Sequence, residues 1–146
     1  AGTENIAGIV GMAEALSIAA HEMPYTRNRL IRLRNYFVER VRHEIPQSRL
    51  NGHPYKRLPG NVNFSFAGID ATALLVLLEE EEICASAGSA CNTGQTRISH
   101  VIEAIRVPDA YAAGSVRFTM GRDTTKRDVD ACVDALKRSV LILRKT

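Results

Sequence analysis

Cysteine is scarce in this 146-residue chain, and where it occurs it makes no pattern. Cys84, Cys91 and Cys132 are an odd number at irregular spacing and form no CxxC pair. That argues against a disulfide framework and for a reducing, cytoplasmic setting. The four histidines, His21, His43, His53 and His100, are scattered, so the ligand spacing of a structural metal site is missing. No apolar run approaches the roughly 20 residues of a membrane span. The opening Ala1-Gly2-Thr3-Glu4-Asn5 has neither the basic start nor the apolar stretch of a signal peptide, and no initiator methionine. The chain reads as a piece that starts inside something longer. Strong charge of one sign is missing too. The net charge is +3, and the excess of arginine in the first third is too mild to imply nucleic acid.

What is present is ordinary for one soluble domain with a real core: 45% apolar residues and 24% charged ones. Ile6, Ile9, Val10, Ala13 and Leu16 recur at helical spacing and predict a small-residue helix over 6–20, suited to close packing against another backbone. Pro24 should end it or open the next segment. A second helix is expected over 25–45, with Leu30, Leu33, Phe37 and Val41 as its stripe. Arg27, Arg29, Arg32, Arg34, Arg40 and Arg42 mostly fill its solvated faces. Residues 48–59 read as irregular, with Asn51-Gly52 and Pro54 as turn signals.

Two stretches alternate strictly. In 61–66, Val62, Phe64 and Phe66 face a core while Asn61, Asn63 and Ser65 face away. In 115–120, Val116, Phe118 and Met120 face the core while Arg117 and Thr119 do not. An arginine in mid-strand between apolar neighbours needs solvent or an anion on its side. Asp70 caps a helix over 71–82, and Glu79–Glu82 should fray against the helix dipole. Residues 83–85 suggest a short strand that buries Cys84. Ser99 caps a short helix over 100–106, with His100 structural or surface, and Pro108 and Gly114 bound a linker. Thr125 and Asp128 form a variant capping box for a last helix reaching Leu143, whose stripe puts Cys132 in the core. The order of elements is α/β to α+β, a small, mostly antiparallel sheet covered by helices.

The stretch Ser86-Ala87-Gly88-Ser89-Ala90-Cys91-Asn92-Thr93-Gly94-Gln95-Thr96 has no apolar periodicity. Small and polar residues surround one thiol, a setting that suits a nucleophile or an incidental surface cysteine equally.

Four stretches stand together: Gly2–Gly11, Leu58-Pro59-Gly60-Asn61-Val62-Asn63-Phe64-Ser65-Phe66, Ser86–Cys91, and Val116-Arg117-Phe118-Thr119-Met120-Gly121-Arg122-Asp123-Thr124-Thr125. In identity, order and spacing they closely resemble the C-terminal part of group I cysteine desulfurases of the NifS/IscS type. Those are pyridoxal-phosphate enzymes of class V aminotransferase lineage and aspartate-aminotransferase fold. The resemblance implies that residues 1–22 end a large cofactor-binding domain and that 23–146 form the small C-terminal domain, carrying the cysteine loop 86–99. It implies removal of sulfur from L-cysteine to leave L-alanine and a persulfide on Cys91. The sulfur would pass to an iron–sulfur scaffold protein or a tRNA-thiolation enzyme. Arg117 would take the substrate carboxylate, as a guanidinium can in a bidentate pair. Thr3 would reach the cofactor phosphate of the partner subunit in a homodimer. A loop of this length could move the thiol over roughly 10–20 Å.

The family's cofactor lysine sits in a Ser-x-His-Lys context, and none of Lys56, Lys126, Lys137 and Lys145 has it. The expectation is that this chain alone neither binds pyridoxal 5'-phosphate nor turns over cysteine. Neither a membrane nor a direct nucleic-acid role is expected. A selenocysteine-lyase-like enzyme and a stand-alone sulfur carrier without catalysis remain open beside the desulfurase reading.

Overall fold

A computed structural model describes residues 2–87 and 98–145 of the chain. A three-stranded antiparallel sheet carries the architecture. Its strands are β1 (Ser48–Leu50), β2 (Asn61–Phe66) and β3 (Ser115–Thr119), in the order β1-β2-β3. Val62 pairs with Phe118 and Phe64 with Val116, which sets the apolar residues of both strands on one face. Against that face pack α1 (Ile6–Glu44), α2 (Ala71–Glu80) and α5 (Lys126–Leu143). Phe37 and Val41 of α1, Leu74 and Leu78 of α2, and Val133, Leu136 and Val140 of α5 close the core. Two short helices, α3 (His100–Ala104) and α4 (Asp109–Ala112), form a second small cluster through Ile102, Val107 and Ala112.

Helix ends follow local chemistry. The Asp70 side chain accepts from the Ala73 N–H, and Thr125 and Asp128 bond reciprocally as a capping box. Gly60 and Gly114 flank the strands where backbones nearly touch: a Cβ at Gly60 would strike the Met120 carbonyl, and one at Gly114 the Phe66 carbonyl.

The structure departs from the sequence pattern in several places. The two helices expected on either side of Pro24 are one 39-residue helix, about 58 Å long at the usual rise. Pro24 forgoes one hydrogen bond, and strong helix formers on both sides carry the helix past it. The Ile6–Leu16 stripe is exposed, and α1 contributes core residues only from Leu30 onward. Within α1, an 18-residue window reaches a mean hydropathy of 1.2, long and apolar enough by length and composition to cross a membrane. Ile6, Ile9, Val10, Leu16, Ile18 and the alanines raise that mean, and none of the window is buried.

Residues 83–85 make no strand, and Cys84 is exposed, not buried. Three residues after four glutamates are too few to pair; Glu82, in a left-handed conformation, turns the chain instead. Arg34, expected on a solvated face, is 4% exposed. The 48–59 stretch contributes β1, and the 108–114 linker contains α4. Cys132 is partly buried against the core, and that burial pushes its thiol up to about 12.

Candidate functional site

The second face of the sheet is polar by sequence alternation, and it is covered. A pocket of about 460 Å³ lies there, walled by the sheet residues Asn61, Asn63, Ser115 and Arg117, by Asn51 and Arg57 of the 51–60 segment, and by His100 and its neighbours in α3. Among the described residues no aspartate or glutamate lines it. Asn63 stands opposite Arg117 in the β2–β3 ladder.

A hydrogen-bonded tier holds this wall in place. Asn51, 3% exposed, donates from Nδ2 to Asn63 Oδ1 at 2.6 Å and to Ser65 Oγ at 2.7 Å. Ser115 Oγ donates to the same Asn63 Oδ1 at 3.1 Å. Arg57 Nη2 donates to the Asn51 carbonyl at 3.0 Å, and Arg34 Nη1 to the Arg57 carbonyl at 3.4 Å. Asn51-Gly52 is thus a turn and also the brace of the polar face. His53 shapes the next turn by accepting the Tyr55 and Lys56 N–H groups at Nδ1.

Among the described residues the Arg117 side chain makes no hydrogen bond or ion pair; only its backbone is engaged. Its N–H donates to the Ser86 carbonyl at 2.7 Å, and the Ser86 N–H donates back at 3.0 Å. The segment entering the cysteine loop is therefore clipped to the strand at Arg117 itself. Ser99, at the other end of the loop, caps α3 through the Val101 N–H and also lines the pocket. Both ends of the loop thus meet the pocket wall. Cys91 lies outside the described residues.

Thr3 is exposed, two residues before the Asn5 cap of α1, and does not line the Arg117 pocket. His100 is an exposed pocket-lining residue in the first turn of α3. Of the lysines, Lys126 pairs with Asp130 and lies over the Tyr36 ring, and Lys137 pairs with Glu44. Among the described residues no lysine lines the pocket. Among the described residues no three His, Cys, Asp or Glu side chains come together as a metal-ligand set.

Sequence reasoning singled out Arg117 but passed over Arg57, Asn51 and Asn63. The usable signals were the amide residues on the non-core face of 61–66 and an arginine immediately before the Leu58-Pro59-Gly60-Asn61 run.

A second, apolar groove of about 680 Å³ runs between α1 and the sheet ends, lined by Ile18, Met23, Leu30, Leu58 and Met120 among others.

A small antiparallel sheet with helices on one face and, on the other, a polar pocket lined by Arg117 is the small-domain arrangement of a pyridoxal-enzyme type of fold. The sequence profile described as Aminotransferase class-V matches residues 1–132, and the chain belongs to that family. Relatives named cysteine desulfurase IscS share 45% identity over 144 residues in Dictyoglomus turgidum and 42% over 144 residues in Methanosarcina thermophila. Each alignment covers 99% of this chain but only 36% and 35% of the relative. The chain thus spans about a third of the length of the curated relatives it matches. Among solved structures, a NifS-like protein from Rickettsia africae superposes with a TM-score of 0.81 at 23% identity, over 95% of this chain and 36% of that one. A second NifS-like protein gives 0.82 at 25% identity, over 100% and 35%. The expected fold class holds: this is the small-domain part of the NifS-like fold.

Proposed function

We propose that this chain is the C-terminal part of a cysteine desulfurase. In this reading residues 1–22 close the large domain and 23–146 form the small domain. The single observation that carries the reading is the Arg117 guanidinium, without a partner among the described residues, in an acid-free pocket, with its own backbone clipping the entry of the cysteine loop. The exposed apolar stripe of α1 and the groove beside it supply the surface on which the large domain would rest. The whole enzyme would be a cytoplasmic homodimer, with no membrane and no direct nucleic-acid role.

Pyridoxal 5'-phosphate, when bound, supplies the electron sink that lets the substrate's carbon–sulfur bond break. The residues present fit part of its site. The exposed Thr3, with no hydrogen bond from its side chain among the described residues, can donate to the phosphate held by a partner subunit. No lysine in the chain is placed to hold the cofactor covalently.

Arg117 grips the carboxylate of L-cysteine with two parallel N–H donors and so orients its side chain toward the loop. The Cys91 thiolate attacks the substrate sulfur. A sulfur–sulfur bond forms and the carbon–sulfur bond breaks. The electron pair of the broken bond stays with the substrate carbon, which gains a proton and leaves as L-alanine. Cys91 then carries the persulfide to an acceptor, such as an iron–sulfur scaffold protein or a tRNA-thiolation enzyme. The chain by itself neither binds the cofactor nor turns over cysteine; its Arg117 pocket is complete enough to hold a carboxylate.

The test adds L-cysteine and pyridoxal phosphate to the chain alone, and to the chain co-expressed with the N-terminal two-thirds of the Dictyoglomus turgidum relative. Alanine release is expected only from the second. Persulfide uptake from an unrelated sulfur donor, with no alanine release on co-expression, would favour a stand-alone carrier and sink the desulfurase reading.

A further inference from the structure

The pocket holds a second cation that the desulfurase reading leaves unused. Arg57 lines the same cavity as Arg117, from the segment that leads into β2. Among the described residues only its Nη2 has an acceptor, the Asn51 carbonyl. Its Nε and Nη1 are buried with no partner. A guanidinium with five donors and one hydrogen bond is badly undersatisfied. Among the described residues no carboxylate lines the pocket to balance it. Burial first, and then the neighbouring charges of Arg34 and Arg42, lower its pKa from the usual arginine value. Arg34 is buried and, among the described residues, bonds only to the Asn35 side chain and the Arg57 carbonyl. The buried Arg34 and the half-buried Arg57 repel each other with no carboxylate among the described pocket-lining residues, an electrostatic deficit that a bound anion relieves.

We infer that Arg57 is a second anion-holding group of this pocket, acting with Arg117 on the carboxylate of a small amino-acid substrate. The inference rests on the reading that Arg117 takes that carboxylate, and it deepens it. The pocket would select for the α-carboxylate through two charges, one on the strand and one on the segment before it. Arg117 supplies the directional bidentate contact. Arg57 supplies field and, after a change of rotamer, its free donors. The amide tier of Asn51 and Asn63 fixes the spacing of the two. Arg57 is thus a positioning and specificity-determining residue, felt in substrate affinity.

The size follows from Coulomb's law. A second unit charge about 10 Å from a bound anion, at an effective dielectric of about 25, changes affinity about tenfold. The experiment titrates the isotope-labelled chain with L-alanine, and with L-alaninamide as the probe lacking the carboxylate charge, while following backbone and arginine side-chain resonances. L-alanine should move the signals of Asn63, Ser115 and Arg117, and L-alaninamide should not. Arg57→Gln should weaken L-alanine binding about tenfold, and Arg57→Lys, which keeps the charge and loses the fork, should recover most of it.

A role limited to tying down the 51–60 segment predicts otherwise: both variants would bind alike, and only thermal stability would change. That result overturns the inference. Arg117→Gln abolishing binding while Arg57→Gln leaves it untouched would sink this inference and spare the reading of Arg117. A native chain that responds to neither probe, or equally to both, would sink the two together.

Discussion

Asn51→Ala tests how the polar face of the sheet is held, and its cost can be worked from the contacts. The side chain donates to Asn63 Oδ1 and to Ser65 Oγ. Each such bond contributes about 1 kcal/mol net. Ser65, which is 0% exposed, then keeps no acceptor or donor near its hydroxyl, for about 1 kcal/mol more. The missing side-chain atoms leave a small void, roughly another 1 kcal/mol. Against this, Asn51 Oδ1 is itself buried without a partner, and its removal returns about 1 kcal/mol. Asn63 Oδ1 keeps its bond from Ser115. The net loss is about 2–3 kcal/mol. In a urea titration followed by circular dichroism the midpoint should fall by about 1–2 M with the slope unchanged. The cycle with Ser65→Ala should return a coupling of about 1 kcal/mol. A loss below about 0.5 kcal/mol, or strict additivity with Ser65→Ala, would refute the assignment of this tier as the brace of the pocket wall.

Three further outcomes follow from the same structure. Iodoacetamide near neutral pH should label the exposed Cys84 readily and leave Cys132 unmodified until urea unfolds the chain, since burial holds that thiol at about 12; peptide mass spectrometry reads both sites. The Tyr36 hydroxyl first, then Lys126 and Arg40, hold the Asp130 carboxyl at about 2, and the hydrogen bond from Arg40 lowers that of Glu44. Both folded values lie below their unfolded ones, so this stabilisation is complete above pH 4–5 and is lost as pH falls toward about 2. Arg40→Met should flatten the loss of stability over that window, which acid titrations of native and variant unfolding midpoints compare directly. Thr125→Ala removes one half of the capping box and should lower stability by about 1 kcal/mol, seen as a lower thermal midpoint.

Much of this fold was legible because one signal dominated locally. The alternation in 61–66 and 115–120 predicts both strands and which face is apolar, while the pairing of Val62 with Phe118 is seen only in the structure. Asp70, Ser99 and Thr125 each cap the helix their position announces. Pro24 misled because a proline makes a helix costlier without forbidding it, so its position does not fix a helix end. Arg34 misled because periodicity marks a face as polar without saying what lies over it, and the 51–60 segment lies over that face. Cys84 misled because a three-residue apolar run does not say whether a partner strand is in reach. Arg117 was legible, since a charged residue on one face of a half-apolar strand needs a reason. Arg57 was not, because its meaning comes from a cavity assembled by residues 40 and more positions apart in sequence.

The most direct test of the sulfur-transfer reading is where sulfur lands. The chain is co-expressed with the N-terminal two-thirds of the Dictyoglomus turgidum relative, given L-cysteine, quenched by alkylation and mapped by mass spectrometry. The account predicts one additional sulfur atom on Cys91, none on Cys84 or Cys132, and loss of that signal in Arg117→Gln. Sulfur on Cys84, or an undiminished Cys91 signal in Arg117→Gln, would contradict it.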